Sequence, residues 1–167
     1  MDVIMECFAS PFNCRWERYC SAFPDTDTAF GSLGSFFEFR PAAGSFEVNP
    51  PFVPEVIVRT AAHIEALLAA AKASPLSFVV VVPAWEATPG WRRLAGSRFV
   101  RRHVRLAQKD HGFCEGKQQL RAARYRVASF DTSVLVLQNA AGAARWPCTD
   151  KACAELRTAF ASLQATE

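Results

Sequence analysis

An α/β fold, with helices covering a central sheet, is what this sequence predicts, and two runs carry the prediction. The stretch "LSFVVVVP" at 76 to 83 is a continuous β-branched run, expected of a strand buried on both faces in the middle of a parallel sheet. Just before it, Ile57, Ala61, Ile64, Leu68 and Ala71 recur at spacings of four and three, which predicts an amphipathic helix of about five turns from Pro54 to Lys72. At 167 residues, half of them hydrophobic, the chain fits one domain over 1–167 with a core of its own.

The other elements follow in order. Val3 to Ala9 is an apolar run broken only by Glu6 and reads as a strand ended by Ser10-Pro11. "FNCRWERYCSAF" spaces Phe12, Trp16, Tyr19 and Phe23 by four, three and four, which predicts a helix with an aromatic core-packing face and Asn13 as its cap. Residues 24 to 35 are a turn-rich loop, and "FFEFR" and "GSFEV" read as two short strands. Beyond 92, "RFVRRHVRLA" and "RYRVASF" read as strands or irregular segments with a charged face, and "TSVLVLQN" at 132 to 139 as another strand. From Thr149 onward, Cys153, Leu156, Phe160 and Leu163 share a helical face, with Thr149 or Asp150 as cap.

Several function classes are set aside by composition. An acid stands near the N-terminus where a secretory signal carries positive charge, and no apolar run approaches about 18 residues, so a soluble intracellular chain with no membrane partner is expected. The cysteines Cys7, Cys14, Cys20, Cys114, Cys148 and Cys153 form no CxxC pair and predict buried free thiols rather than a disulfide framework or a zinc site. His63, His103 and His111 show no metal spacing. His63 is expected on a helix surface, the other two in a basic field.

That field is local. Eleven of the nineteen Lys and Arg residues lie between Arg92 and Arg126, against two acids, whereas the rest of the chain is net acidic. A solvated face would show such a run, but the arginine excess and the interleaved Phe99, Phe113 and Tyr125 favour a polyanion such as RNA.

The stretch "VNPPF" at 48 to 52 lies between a predicted strand and the long helix, and its prolines cannot continue a central strand. In a doubly wound sheet, ligands bind at the carboxyl ends of strands. Asn49 and a backbone carbonyl can accept from an amine, and Phe52 can stack on a planar ring. A stiff strand-to-helix turn explains the same residues without chemistry, so the motif alone leaves both readings open.

The wider pattern bears on that choice. Glu6-Cys7-Phe8-Ala9-Ser10-Pro11-Phe12-Asn13, Tyr19 through Asp27, Gly44-Ser45-Phe46-Glu47 with Asn49-Pro50-Pro51-Phe52, Pro75 through Phe78, Pro83, Trp85, Ser97-Arg98-Phe99 and Val134 through Asn139 together resemble the phosphorylated-CTD-interacting-factor family. The resemblance covers about residues 5 to 146. It implies a Rossmann-like class I S-adenosylmethionine-dependent methyltransferase fold, incomplete at its N-terminus because the family's upstream helical region and WW domain are missing. It also implies N6-methylation of the 2′-O-methyladenosine beside the mRNA cap, in the nucleus, with capped mRNA as partner and RNA polymerase II reached through the missing regions.

By the same resemblance, Asn49, Pro50, Pro51 and Phe52 hold the target adenine, and Asn49 and Phe52 also touch the methyl donor. Glu6, Phe8, Ala9, Ser10 and Asn13 line the donor pocket, although "FASPFN" stands where related folds have a glycine-rich turn. Glu55, Trp85, Glu86, Pro89, Arg98, Arg101 and Arg102 are the expected substrate contacts. Pro54 occupies the position of the family's first acid after the motif, which leaves Glu55. Methylation of another amine (an internal RNA or DNA adenine, or glutamine) and a silent RNA-binding remnant are the alternatives.

Overall fold

A computed structural model describes residues 2–114 and 125–162. Six strands form the main sheet: β1 (Met5–Ala9), β2 (Tyr19–Ser21), β3 (Gly44–Val48), β4 (Leu76–Pro83), β5 (Val100–Leu106) and β8 (Thr132–Gln138), in the order β2-β1-β3-β4-β8-β5. The pairs from β2 through β4 are parallel, while β8 runs antiparallel to both β4 and β5. The parallel strands therefore share one carboxyl edge. β6 (Gly112–Cys114) and β7 (Tyr125–Val127) form a separate antiparallel pair.

Helices α1 (Pro24–Asp27), α2 (Pro54–Ala70), α3 (Pro89–Ala95), α4 (Ala140–Arg145) and α5 (Asp150–Ser162), with two short 3-10 helices at Thr28–Phe30 and Gln108–Asp110, complete the described elements. α2 presents Ile57, Ala61, Ile64 and Leu68 to one sheet face, where they meet Phe46, Phe78, Val80 and Leu135. The alternate β4 residues Val79 and Val81, with Val104, Leu106 and Val134, face the other way, where Cys153, Leu156 and Phe160 of α5 pack on them. Every residue of β4 is buried, as its uniform apolar run requires.

Several expectations are corrected. Residues 12–23 are not a helix: turns lead into β2, whose three residues are all buried, while Phe12 and Phe23 are exposed. The spacing imitated a helix, but the Ser10 carbonyl turns the chain by accepting from the Asn13 and Cys14 amides. "FFEFR" is likewise a turn, in which Phe36 inserts its ring between Phe8 and Phe78. β4 is central, but its sheet is mixed, because β8 opposes it. Of the cysteines, Cys7 and Cys20 are buried free thiols, whereas Cys14, Cys148 and Cys153 are free and half-buried; the Cys114 side chain lies outside the described residues.

The terminal helix is capped by Thr149, whose hydroxyl accepts from the Ala152 amide at 3.2 Å; Leu163 lies outside the described residues. His63 is half-buried against Phe36 and the Phe39 carbonyl. His111 is fully buried, with its two ring nitrogens 2.8 Å from the Ala107 carbonyl and the Thr132 hydroxyl, so it is no part of a basic surface. Burial, and then Arg105 and Arg157 against the opposing pull of Glu86, hold His103 below its ordinary range, which favours its neutral form at pH 7. Among the described residues no helix is long and apolar enough to cross a membrane.

Candidate active-site cleft

β3 ends at Val48 because Pro50 and Pro51 offer no donor to either neighbouring strand. The Val53 amide donates to the Pro51 carbonyl at 2.7 Å, closing a tight turn, and Pro54 occupies the first turn of α2. The result is a rigid Asn49–Phe52 loop on the carboxyl edge, with Asn49 and Phe52 half-buried and Pro51 exposed.

Strand order makes that edge special. From β1 the chain crosses outward to β2, whereas from β3 it crosses the other way to β4. The reversal opens a crevice between the ends of β1 and β3, the position at which doubly wound sheets take their ligands. A cleft of about 370 Å³ lies there. Phe8 and Ala9 reach it from β1, Ser10 and Asn13 from the next turn, Ala22 from the end of β2, and Asn49 through Phe52 from β3. The "SPFN" turn takes the place of a glycine-rich loop: the Asn13 carboxamide oxygen accepts from the Ser10 amide at 2.7 Å and from its hydroxyl at 2.9 Å. Among the described residues the Asn49 carboxamide has no partner within the chain.

Other expected site residues fall outside this cleft. The Glu6 carboxylate accepts from the Arg15 amide and stands beside Glu47 on the adjoining strand. Burial, and then the Glu6 charge, push the Glu47 carboxyl up to about 8. Glu55 is exposed in the first turn of α2, and Pro89 is exposed at the start of α3. Glu86 is held by Arg105 at 2.6 Å. Arg101 is exposed on β5, and Arg102 reaches Asp150 at 3.4 Å and the Cys148 carbonyl at 3.1 Å. Arg98 precedes β5 beside Phe99, whose carbonyl accepts from Gln138. That places it at the opposite end of the sheet from the cleft, because Gln138 pairs with Ser77 at the start of β4.

Trp85 connects to the motif indirectly. Its ring meets Phe130 at 5.6 Å, Phe130 meets Phe52 at 5.5 Å, and Phe113 meets Phe52 at 6.1 Å. Ala22 and Phe130 are contacts that sequence reasoning missed. Ala22 was hidden by the helix expected there, and Phe130 sits in a turn with no motif.

A doubly wound α/β sheet with a ligand-sized cleft at its switch point places the chain in the Rossmann-like class, whose members bind nucleotide-derived cofactors at this position. Residues 1–116 match the family described as "Phosphorylated CTD interacting factor 1 WW domain", and the chain belongs to that family. The chain is 43% identical over 162 residues to proteins of Mus musculus and Homo sapiens, each called "mRNA (2'-O-methyladenosine-N(6)-)-methyltransferase". Those alignments cover 95% of this chain and 23% of each relative, so the chain spans less than a quarter of their length. A solved structure titled "Structure of an antibiotic related Methyltransferase" aligns with a TM-score of 0.43 and 10% identity, covering 83% of this chain and 89% of that one.

Proposed function

We propose that this chain forms the methyl-transferring core of an mRNA-modifying enzyme acting on N6 of the cap-adjacent 2′-O-methyladenosine. Family membership and the names of the mouse and human relatives support the reaction class. The observation that carries the reading is Asn49, a half-buried carboxamide with no partner among the described residues, fixed between β3 and two prolines beside the Phe52 ring.

The cleft fits S-adenosylmethionine in volume and in chemistry. Phe8, Ala9 and Pro50 offer apolar surface, and Ser10 and Asn13 offer polar groups. When bound, that cofactor supplies a methyl group on a positively charged sulfur. Phe52 stacks on the acceptor adenine, while the Asn49 oxygen and a loop carbonyl accept its two N–H bonds. Those two acceptors rotate the nitrogen lone pair out of the ring plane toward the donor side. Neutral Asn49 is no base, so the proton leaves to solvent or a weak acceptor. Trp85, Glu86 and Pro89 border the path of the capped end, and Glu55 stands at the start of α2 beside the motif. Arg98, Arg101 and Arg102 guide the RNA backbone farther out. A nuclear location and an encounter with transcribing RNA polymerase II through other regions of a longer protein accord with this substrate.

The test compares methyl incorporation from S-adenosylmethionine into capped RNA beginning with 2′-O-methyladenosine, uncapped RNA, adenine-containing DNA and a glutamine peptide. The capped RNA is expected to be modified at N6, and Asn49→Ala is expected to lower kcat by about a hundredfold while donor affinity stays within about threefold. Equal rates for the variant and the parent, or transfer to DNA or peptide in preference to RNA, would defeat the assignment.

A further inference from the structure

Prolines stiffen the backbone of the Asn49–Phe52 loop, but they leave the Phe52 ring free about its own torsions. Something outside the loop must fix it. Phe130 meets it at 5.5 Å with the planes 74° apart, and Phe113 at 6.1 Å with the planes 68° apart. Both are edge-to-face contacts of the kind that restrain a ring without covering it.

Phe130 is itself anchored through its neighbour. The Asp131 carboxylate accepts from Arg105 Nε at 3.0 Å, from Arg105 Nη2 at 2.8 Å and from the Gln108 amide at 2.9 Å. The Asp131 carbonyl accepts from the Ala84 amide at 2.8 Å, and Arg105 Nη1 reaches Glu86 at 2.6 Å. One guanidinium thus ties together the end of β5, the loop after β4 and the turn that carries Phe130. Nε and Nη2 converge on the one oxygen Asp131 Oδ2 while Nη1 takes Glu86, so charge-assisted bonds hold the guanidinium from two sides.

We infer that Phe130 is a positioning residue for Phe52, and that Arg105 with Asp131 forms the strut that holds Phe130 in place. Three of the five Arg105 N–H groups are committed to carboxylates, which makes Arg105 part of the framework of the site instead of an RNA phosphate contact. The catalytic consequence rests on the function proposed above, but the positioning itself does not. Stacking platforms act only when held within about 0.5 Å of their working geometry, so loss of the strut acts on turnover more than on donor binding.

The experiment labels the chain with 4-fluorophenylalanine and follows the Phe52 fluorine resonance, assigned by its disappearance in Phe52→Leu. Arg105→Gln and Asp131→Asn leave both rings in the chain. Each is expected to move or split the Phe52 signal while the Phe78 core signal stays in place, and Arg105→Lys is expected to give a smaller change. In the methyl-transfer assay, Arg105→Gln is expected to lower kcat/KM for RNA by about tenfold, with the Kd for S-adenosylmethionine within about twofold. Phe130→Leu should match it and Phe130→Tyr should retain activity. An unmoved Phe52 resonance in both strut variants overturns the inference. So does a drop of about 0.7 in the salt slope of RNA binding on Arg105→Gln, which would make Arg105 a phosphate ligand. A parent chain that transfers no methyl group defeats the proposed function and leaves the fluorine result to decide the strut.

Discussion

Asn139 joins three parts of the chain through one carboxamide. Its Oδ1 accepts from the Gly142 amide at 2.7 Å, capping α4, and from the Leu76 amide at 3.2 Å where β4 begins. Its Nδ2 donates to the Ser74 carbonyl at 2.8 Å and to the Ala71 carbonyl just past α2. The residue is buried, so removing the side chain takes the partner from four backbone groups, of which the Leu76 and Gly142 amides are themselves buried. Asn139→Ala is expected to destabilise the fold by on the order of 2–4 kcal/mol, more than an exposed cap would cost. Urea unfolding measures it, and a loss below about 1 kcal/mol would show that water or a backbone shift replaces these bonds. The sequence displays Asn139 as the end of a strand. Its fourfold role was not legible, because three of its partners lie more than sixty residues away.

At the scale of elements, legibility followed how closely burial tracked a simple period. α2 and β4 were readable because each buries residues in the pattern its own geometry demands. The 12–23 segment misled because Phe12 and Phe23 are exposed while Tyr19, Cys20 and Ser21 are buried in succession. The direction of β8 left no trace, since a strand buried on both faces looks the same whichever way it runs. Packing between α2 and α3 depends on a residue no periodicity marks. A Cβ at Gly90 would meet Ile57 Cγ2 at 2.8 Å and the Val58 backbone nitrogen at 3.0 Å. Gly90 therefore lets α3 sit directly on α2, which fixes the far end of the 84–88 loop bearing Trp85 and Glu86. Gly90→Ala is expected to cost about 1–3 kcal/mol and Gly90→Val more, with loss of near-ultraviolet signal from Trp85 and Trp91. Unchanged melting of both variants would mean that the two helices have room to part.

Across the whole molecule, charge is distributed differently from its distribution along the chain. The described part of the basic stretch folds into β5 and its flanks, where Arg93 meets Glu65, Arg102 meets Asp150, and Arg105 meets Glu86 and Asp131; Lys117, Arg121 and Arg124 lie outside the described residues. Part of the local excess is thus offset by acids from other segments. β5 is also an edge strand, where charged side chains discourage pairing with another sheet. The acidic counterpart lies between β1 and β3, where Glu6 and Glu47 are register partners. The sequence shows both acids, but only strand order brings them together. Burial and then the Glu6 charge push Glu47 up to about 8, so the folded chain keeps a proton that the unfolded chain releases near pH 4.3. Between those values the native state binds more protons than the unfolded one, and stability falls as pH rises. The fall is at most about 1.4 kcal/mol per pH unit, and it is complete once the pH passes the folded value. Glu47→Gln removes this titration while keeping the shape. The variant is expected to match the parent at or below about pH 4 and to exceed it by on the order of 4 kcal/mol near pH 8. Urea unfolding of both proteins across that range reads the difference, because titrations away from the Glu6–Glu47 pair cancel. A constant gap between the two curves would mean that Glu47 ionises as an ordinary carboxyl and that the acids between β1 and β3 do not govern how the fold responds to pH.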